Sequence, residues 1–173
     1  LLVYEFMKEV KIEDIKLKQA AKKGMDDFLA AFVDAIYATI GGELTVKTMS
    51  ELSTDQLTLL AYSILRDEVM DGGFIQLIHN GYGGFIFRNP FGKMIRNWGL
   101  VDLYKLVNKT HKLYNKFHTE IERDCTDDEF MAMFERFAEF DHCDDTFVEN
   151  EEKWTATVAQ YVDEHISNFA QIV

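Results

Sequence analysis

Proline is nearly missing from this chain: Pro90 stands alone among 173 residues, and Ser/Gly-rich runs are few. No segment therefore reads as a linker, and residues 1–173 are expected to form a single domain. Cysteine is also scarce. Cys125 and Cys143 make no CxxC pair and give no basis for a disulfide framework, which points to a reducing, cytoplasmic setting. No apolar run approaches the roughly 20 residues needed to cross a bilayer, and no secretory leader is visible. Alternating apolar and polar residues are nearly absent as well. Only Leu44–Thr48 and Gly84–Arg88 read as short extended pieces, so a substantial sheet is excluded.

What is present is core-forming. Apolar residues make up 47% of the chain, with 14 Phe and 7 Tyr, which is enough to build a core and argues against disorder. These residues recur at helical spacing. Phe28, Phe32, Ile36 and Ile40 repeat every fourth position until Gly41 and Gly42. Ser53 and Gln56 form a capping box ahead of Leu57, Leu60, Ile64, Leu65 and Val69. Leu103, Leu106, Val107, Leu113, Tyr114 and Phe117 predict a helix over 101–121. Thr126 and Glu129 make a second capping box before Phe130, Met133, Phe134 and Phe137. Trp154, Val158, Tyr161, Val162, His165 and Phe169 line the last helix. The expected fold is an all-α, single-domain bundle of about seven to nine helices, with N-terminal helices over 4–40 packed onto the rest and a Gly-rich turn between central helices.

That turn is DGGFIQLIHNGYGGFIFRNPFGK, residues 71–93, which holds six of the ten glycines and the one proline. It fits neither phosphate-loop pattern. A GxGxxG starting at Gly81 would need glycine where Ile86 stands. A GxxxxGK[ST] ending on Gly92-Lys93 would need glycine at Phe87 and a hydroxyl at Met94. The glycines read instead as helix punctuation. Gly72-Gly73 breaks a helix ending near Met70, Asn80-Gly81 caps a short helix over 74–79, and Asn89-Pro90 opens the next, with Asn as cap and Pro at the first helical position.

The string from Leu57 to Gly99 resembles the bacterial DNA-mimic protein family. Glu68-Val69, Gly72-Gly73-Phe74, Gln76 and Asn80-Gly81 carry the likeness, and Met70-Asp71 depart from an Asn-rich pair common there. FDHCDDTF at 140–147 and TVAQYVDEH at 157–165 are similar to the family's C-terminal part. The resemblance covers about 57–170. It implies an all-helical, acidic, dimeric protein, and at least one member imitates DNA toward a DNA-binding regulator without catalysis. Glu68, Gly72, Gly73, Phe74, Gln76, Asn80 and Gly81 are expected to be architectural.

Other chemistry is thin. Gln76, His79 and Asn80 form a polar group on an apolar segment; one reading is a small-molecule or hydrolytic pocket, the other is hydrogen bonding to the backbone of the glycine turns. Asp141, His142, Cys143, Asp144 and Asp145 are metal-ligand types, but adjacent residues lack converging i, i+4 spacing and the EF-hand pattern fails. Asp144 or Asp145 is instead expected to cap the following helix. His111, His118, His142 and His165 sit in no nucleophile motif, and Glu120, Glu122 and Asp124 read as solvent-facing. No catalytic residue, cofactor or metal ligand is assigned.

Charge is the remaining signal. The net charge of −12 is divided unevenly: residues 84–119 carry seven cations against Asp102 alone, and residues 120–173 carry sixteen acids against three cations. Such acidity disfavours direct nucleic-acid or membrane binding. Helical carboxylates at i, i+4 stand about 5–6 Å apart, comparable with phosphates along a DNA strand, so such rows are able to imitate a phosphate backbone. Glu129, Glu135, Glu139, Asp144, Asp145, Glu149, Glu151 and Glu152 are the residues expected to meet a basic DNA-binding protein. Two alternatives stay open: a solubilising face on a structural or immunity-type partner protein, and pairing with the basic helix of residues 93–116.

Overall fold

The computed structural model describes residues 7–173. The chain is all-α and 77% helical. In order, its elements are β1 (Lys11–Ile12), α1 (Asp14–Lys23), α2 (Met25–Thr39), α3 (Val46–Met49), α4 (Thr54–His79), α5 (Gly83–Phe87), α6 (Phe91–Asn97), α7 (Val101–Ile121), α8 (Asp127–Arg136), α9 (Asp141–Glu164) and β2 (Gln171–Ile172). Residues 4–6 of the expected N-terminal helix lie outside the described residues. From residue 7 the chain runs without helix to α1, and Lys11–Ile12 pairs in parallel with Gln171–Ile172. Neither expected extended piece is a strand: α3 overlaps 44–48 and α5 overlaps 84–88. Apolar runs this short do not separate the two periods. Among the described residues no helix is long and apolar enough to cross a membrane.

Two compact units emerge, and α4 and α9 contribute residues to both. The first takes residues up to 60 and from 155 onward. Phe32 is fully buried and meets Phe28 edge-on at 5.2 Å and Phe169 at 6.2 Å. The capping box at the start of α4 is reciprocal: Gln56 N–H donates to Ser53 Oγ at 3.1 Å, and Ser53 N–H to Gln56 Oε1 at 2.8 Å. The Gln56 amide then donates to Phe169 O at 2.8 Å, tying the C-terminal segment to this cap.

The second unit is residues 61–154. Inside α4, Gly72 (φ −145°, ψ 17°) and Gly73 (φ 75°, ψ −177°) leave helical geometry and kink the element. Beyond the kink, Phe74, Leu77 and Ile78 are fully buried. The helix ends at Gly81 (φ 88°), where Tyr82 N–H reaches Leu77 O and Gly81 N–H reaches Ile78 O. This is the expected left-handed glycine cap. Asn89 does not cap α6: its amide donates to Phe85 O at 3.1 Å, and Pro90 precedes the helix rather than opening it. α7 spans Val101–Ile121, as its apolar stripe predicts, with Leu103, Leu106, Val107 and Tyr114 inward.

Candidate functional site

Two groups of residues in the second unit carry the features singled out in the sequence: the kink of α4, and the carboxylates of α8 and α9.

At the kink, the break leaves the first backbone donors of the second helical half without intrahelical acceptors. Asp144 supplies one: its Oδ1 accepts from Phe74 N–H at 2.8 Å. Glu68, one turn before the break, accepts from Gln76 Nε2 at 3.0 Å and from Asn80 Nδ2 at 2.9 Å, and Asp71 accepts from Gln76 Nε2 at 2.9 Å. A carboxylate before the break thus grips two amides after it, which fixes the kink angle. Both glycines are needed, for different reasons. Gly73 has a positive φ, and a Cβ there would lie 2.5 Å from Asp144 Oδ2. Gly72 has an ordinary negative φ, but a Cβ would run into the Gln76 side chain. Phe74 is fully buried, and Gln76 is half-buried. Glu68, Gly72, Gly73, Phe74, Gln76 and Asn80 thus meet at the kink, and Gly81 ends the helix beyond it.

The polar trio of this segment bonds differently from the turn-backbone expectation. Gln76 bonds the Glu68 and Asp71 carboxylates and Asn80 the Glu68 carboxylate. His79 Nδ1 donates to Ile121 O at 2.7 Å, satisfying a carbonyl at the end of α7, and its ring lies 4.8 Å from Phe130. One polar cluster escaped the sequence reading. His118 Nδ1 stands 3.2 Å from Glu122 Oε2, Tyr114 OH donates to Glu122 Oε1 at 3.5 Å, and Arg88 lies 5.2 Å above the Tyr114 ring. Burial, reinforced by Glu122, raises the Tyr114 pKa above its usual value.

The acidic residues divide by exposure. Glu129 and Glu135 on α8, Glu139 in the 3-10 turn Ala138–Phe140, and Asp145, Glu149 and Glu152 on α9 are exposed. Asp144 and Glu151 are half-buried and engaged inside the fold. Glu151 Oε1 accepts from Arg66 Nε at 2.6 Å. Burial pushes Asp144 up to about 6; the Phe74 N–H opposes this, and Asp141 and Asp145 add to it. Neither Asp144 nor Asp145 caps α9, because the helix begins at Asp141 directly from the 3-10 turn. That earlier start has a consequence. Asp141, Asp145, Glu149 and Glu152, all exposed, fall at i, i+4, i+8 and i+11 on one side of α9. They form a carboxylate row of roughly 16 Å at 1.5 Å per residue. Asp141 joins it only because the helix starts there. Among the described residues no three His, Cys, Asp or Glu side chains converge as a metal site.

The family model for DMP19-like protein matches residues 50–165, from just before α4 to the end of α9. The expected likeness over about 57–170 falls on nearly the same stretch. Among curated relatives, DNA mimic protein DMP19 of Neisseria meningitidis serogroup B (strain ATCC BAA-335 / MC58) is 33% identical over 127 residues, covering 73% of this chain and 77% of the relative.

Proposed function

The chain belongs to the DMP19-like protein family, and on that premise we propose that it is a non-enzymatic DNA mimic that occupies the DNA-binding surface of a basic DNA-binding protein. The observation that carries this reading is the α9 row of Asp141, Asp145, Glu149 and Glu152, exposed and repeating once per helical turn. Glu129, Glu135 and Glu139 add carboxylates on α8 and the turn that follows it. Four charges over roughly 16 Å stand about 5–6 Å apart along the axis, a sparser version of one DNA strand, which carries about one charge per 3.4 Å. Asp144 and Glu151 support the face from beneath, through Phe74 and Arg66. The partner is a protein, not nucleic acid, because a carboxylate row repels phosphate.

The test is capture from the native cell extract at low and high salt, followed by duplex DNA as competitor. The expected result is a DNA-binding protein, retained at low salt and displaced by duplex. Capture of a protein without nucleic-acid affinity, or retention unaffected by duplex, overturns the reading. The pocket alternative at Gln76, His79 and Asn80 is less favoured, since Gln76 Nε2, His79 Nδ1 and Asn80 Nδ2 all bond within the fold.

A further inference from the structure

A DNA mimic has no evident need for cations, yet residues 84–119 hold seven of them against Asp102 alone. α7 gathers four in one stripe: Lys105, Lys109, Lys112 and Lys116 at i, i+4, i+7 and i+11, all exposed. The row is roughly 16 Å long. Lys93 and Arg96 are exposed on α6, which packs against α7. Arg96 lies 5.3 Å over the Tyr104 ring, and Lys116 Nζ lies 5.0 Å over the Phe117 ring. Two cations elsewhere in the same unit pair with carboxylates: Arg66 with Glu151 and Arg136 with Glu120. Among the described residues, none of the four α7 lysines lies within ion-pair distance of an acid. In a chain with thirty acids, these cations are kept apart from them.

We propose that the α7 lysine row is a second docking surface, which takes a carboxylate-rich protein patch flanking the partner's DNA-binding face. This rests on the mimic reading and deepens it into a rule of partner choice. DNA is negative along its whole length, so a uniformly basic protein accepts it anywhere. The same protein repels the lysine row. Only a partner whose basic face ends beside acidic residues gains from both surfaces, and discrimination of this kind is set as much by repulsion of wrong partners as by attraction of the right one. An acidic protein patch fits better than nucleic acid. A duplex continues past a row of this length, into the field of a chain of net charge −12. Arg96 and Lys116 already lie over the Tyr104 and Phe117 rings beside the row, which leaves these two rings less open to stacking bases.

The experiment titrates the whole 15N-labelled protein with poly-L-glutamate as the acidic probe and with duplex DNA in parallel. Poly-L-glutamate is expected to shift the amide signals of residues 105–116 at low salt, and the shifts should vanish at high salt. The variant K105Q/K109Q/K112Q/K116Q should bind the probe about tenfold more weakly or worse, and should be retained more strongly than the parent on poly-L-lysine, a uniformly basic surface. Neutralising Asp141, Asp145, Glu149 and Glu152 should leave poly-L-glutamate binding intact, so failure here is distinguishable from failure of the mimic reading. The proposal is overturned by unmoved α7 signals, by duplex binding tighter than poly-L-glutamate on α7, or by low-salt self-association that the lysine variant lacks. The second would make the row a nucleic-acid site and the third an interface between copies.

Discussion

The Asp144 carboxylate holds the backbone N–H of Phe74 at 2.8 Å across seventy residues of sequence, so α9 caps the second half of a helix to which it is not locally connected. The carboxylate is held in a partly buried place, and burial raises its pKa to about 6 from an ordinary value of 3.8. Because the folded-state pKa lies above the unfolded one, the folded chain binds the extra proton between those values. The associated stability is full below about pH 4 and is lost as the pH rises through 6. Asp144→Asn keeps an oxygen for Phe74 and removes the charge. It is expected to raise stability at pH 7 by on the order of 1–2 kcal/mol after solvent screening, and to flatten this group's contribution between pH 4 and 6. Asp144→Ala, which deletes the cap, should cost about 1 kcal/mol relative to Asp144→Asn. Denaturant melts of the three proteins at pH 4.5 and 7 check both signs.

The two glycines of the kink should respond differently to substitution. Gly73→Val meets a positive φ and the Asp144 carboxylate together, and is expected to cost about 1–3 kcal/mol. Gly72→Ala has an allowed backbone and only the Gln76 side chain in its way. Gln76→Ala in the same chain should therefore recover part of the loss, whereas it should do nothing for Gly73→Val. A double-mutant cycle by thermal melting reads the coupling directly. Additive losses at Gly72 and Gln76 would contradict the close approach.

Glu68 is the acceptor shared by Gln76 and Asn80. Removing it leaves Asn80 without that partner, while Gln76 keeps Asp71. Glu68→Ala is expected to cost about 1–3 kcal/mol and Glu68→Gln less, since one amide oxygen is still able to accept. Hydrogen exchange at residues 74–79 should rise in Glu68→Ala more than exchange in α7. Equal changes in both would mean that the grip is not local.

Much of this construction is legible in the sequence where the physics is local. The stripe of Leu103, Leu106, Val107 and Tyr114 yields the bounds of α7 because an amphipathic helix of twenty-one residues repeats its signal six times. Ser53 and Gln56 form their box because both partners lie within one turn. Thr126 is an intermediate case. Its hydroxyl accepts from Glu129 N–H at 3.2 Å, but the Glu129 carboxylate takes the Thr126 hydroxyl at 3.3 Å. The bond from Asp144 to Phe74 leaves no local mark, since neither residue's neighbours encode the other. The start of α9 is hidden for a related reason: a 3-10 turn runs straight into it, so no capping residue announces Asp141, and the full period of the carboxylate row emerges only with the helix itself.

That row leads to the last prediction, which separates surface charges from supporting ones. Asp141→Asn, Asp145→Asn, Glu149→Gln and Glu152→Gln together should abolish capture of the DNA-binding partner and leave the circular dichroism unchanged, because all four side chains are exposed. Glu151→Gln should do the reverse: it weakens the link to Arg66 and lowers the melting temperature while partner capture persists. Salt adds a sharper criterion. Duplex DNA carries one charge per 1.7 Å of axis and a condensed ion atmosphere that is released on binding, whereas the α9 row carries one charge per roughly 5–6 Å. Raising salt should therefore weaken the partner's hold on duplex faster than its hold on this protein. In a competition between the two, the protein should gain ground as salt increases. Equal salt slopes for both complexes, measured by anisotropy of labelled duplex and labelled protein, would mean that the row does not act as a sparse phosphate strand.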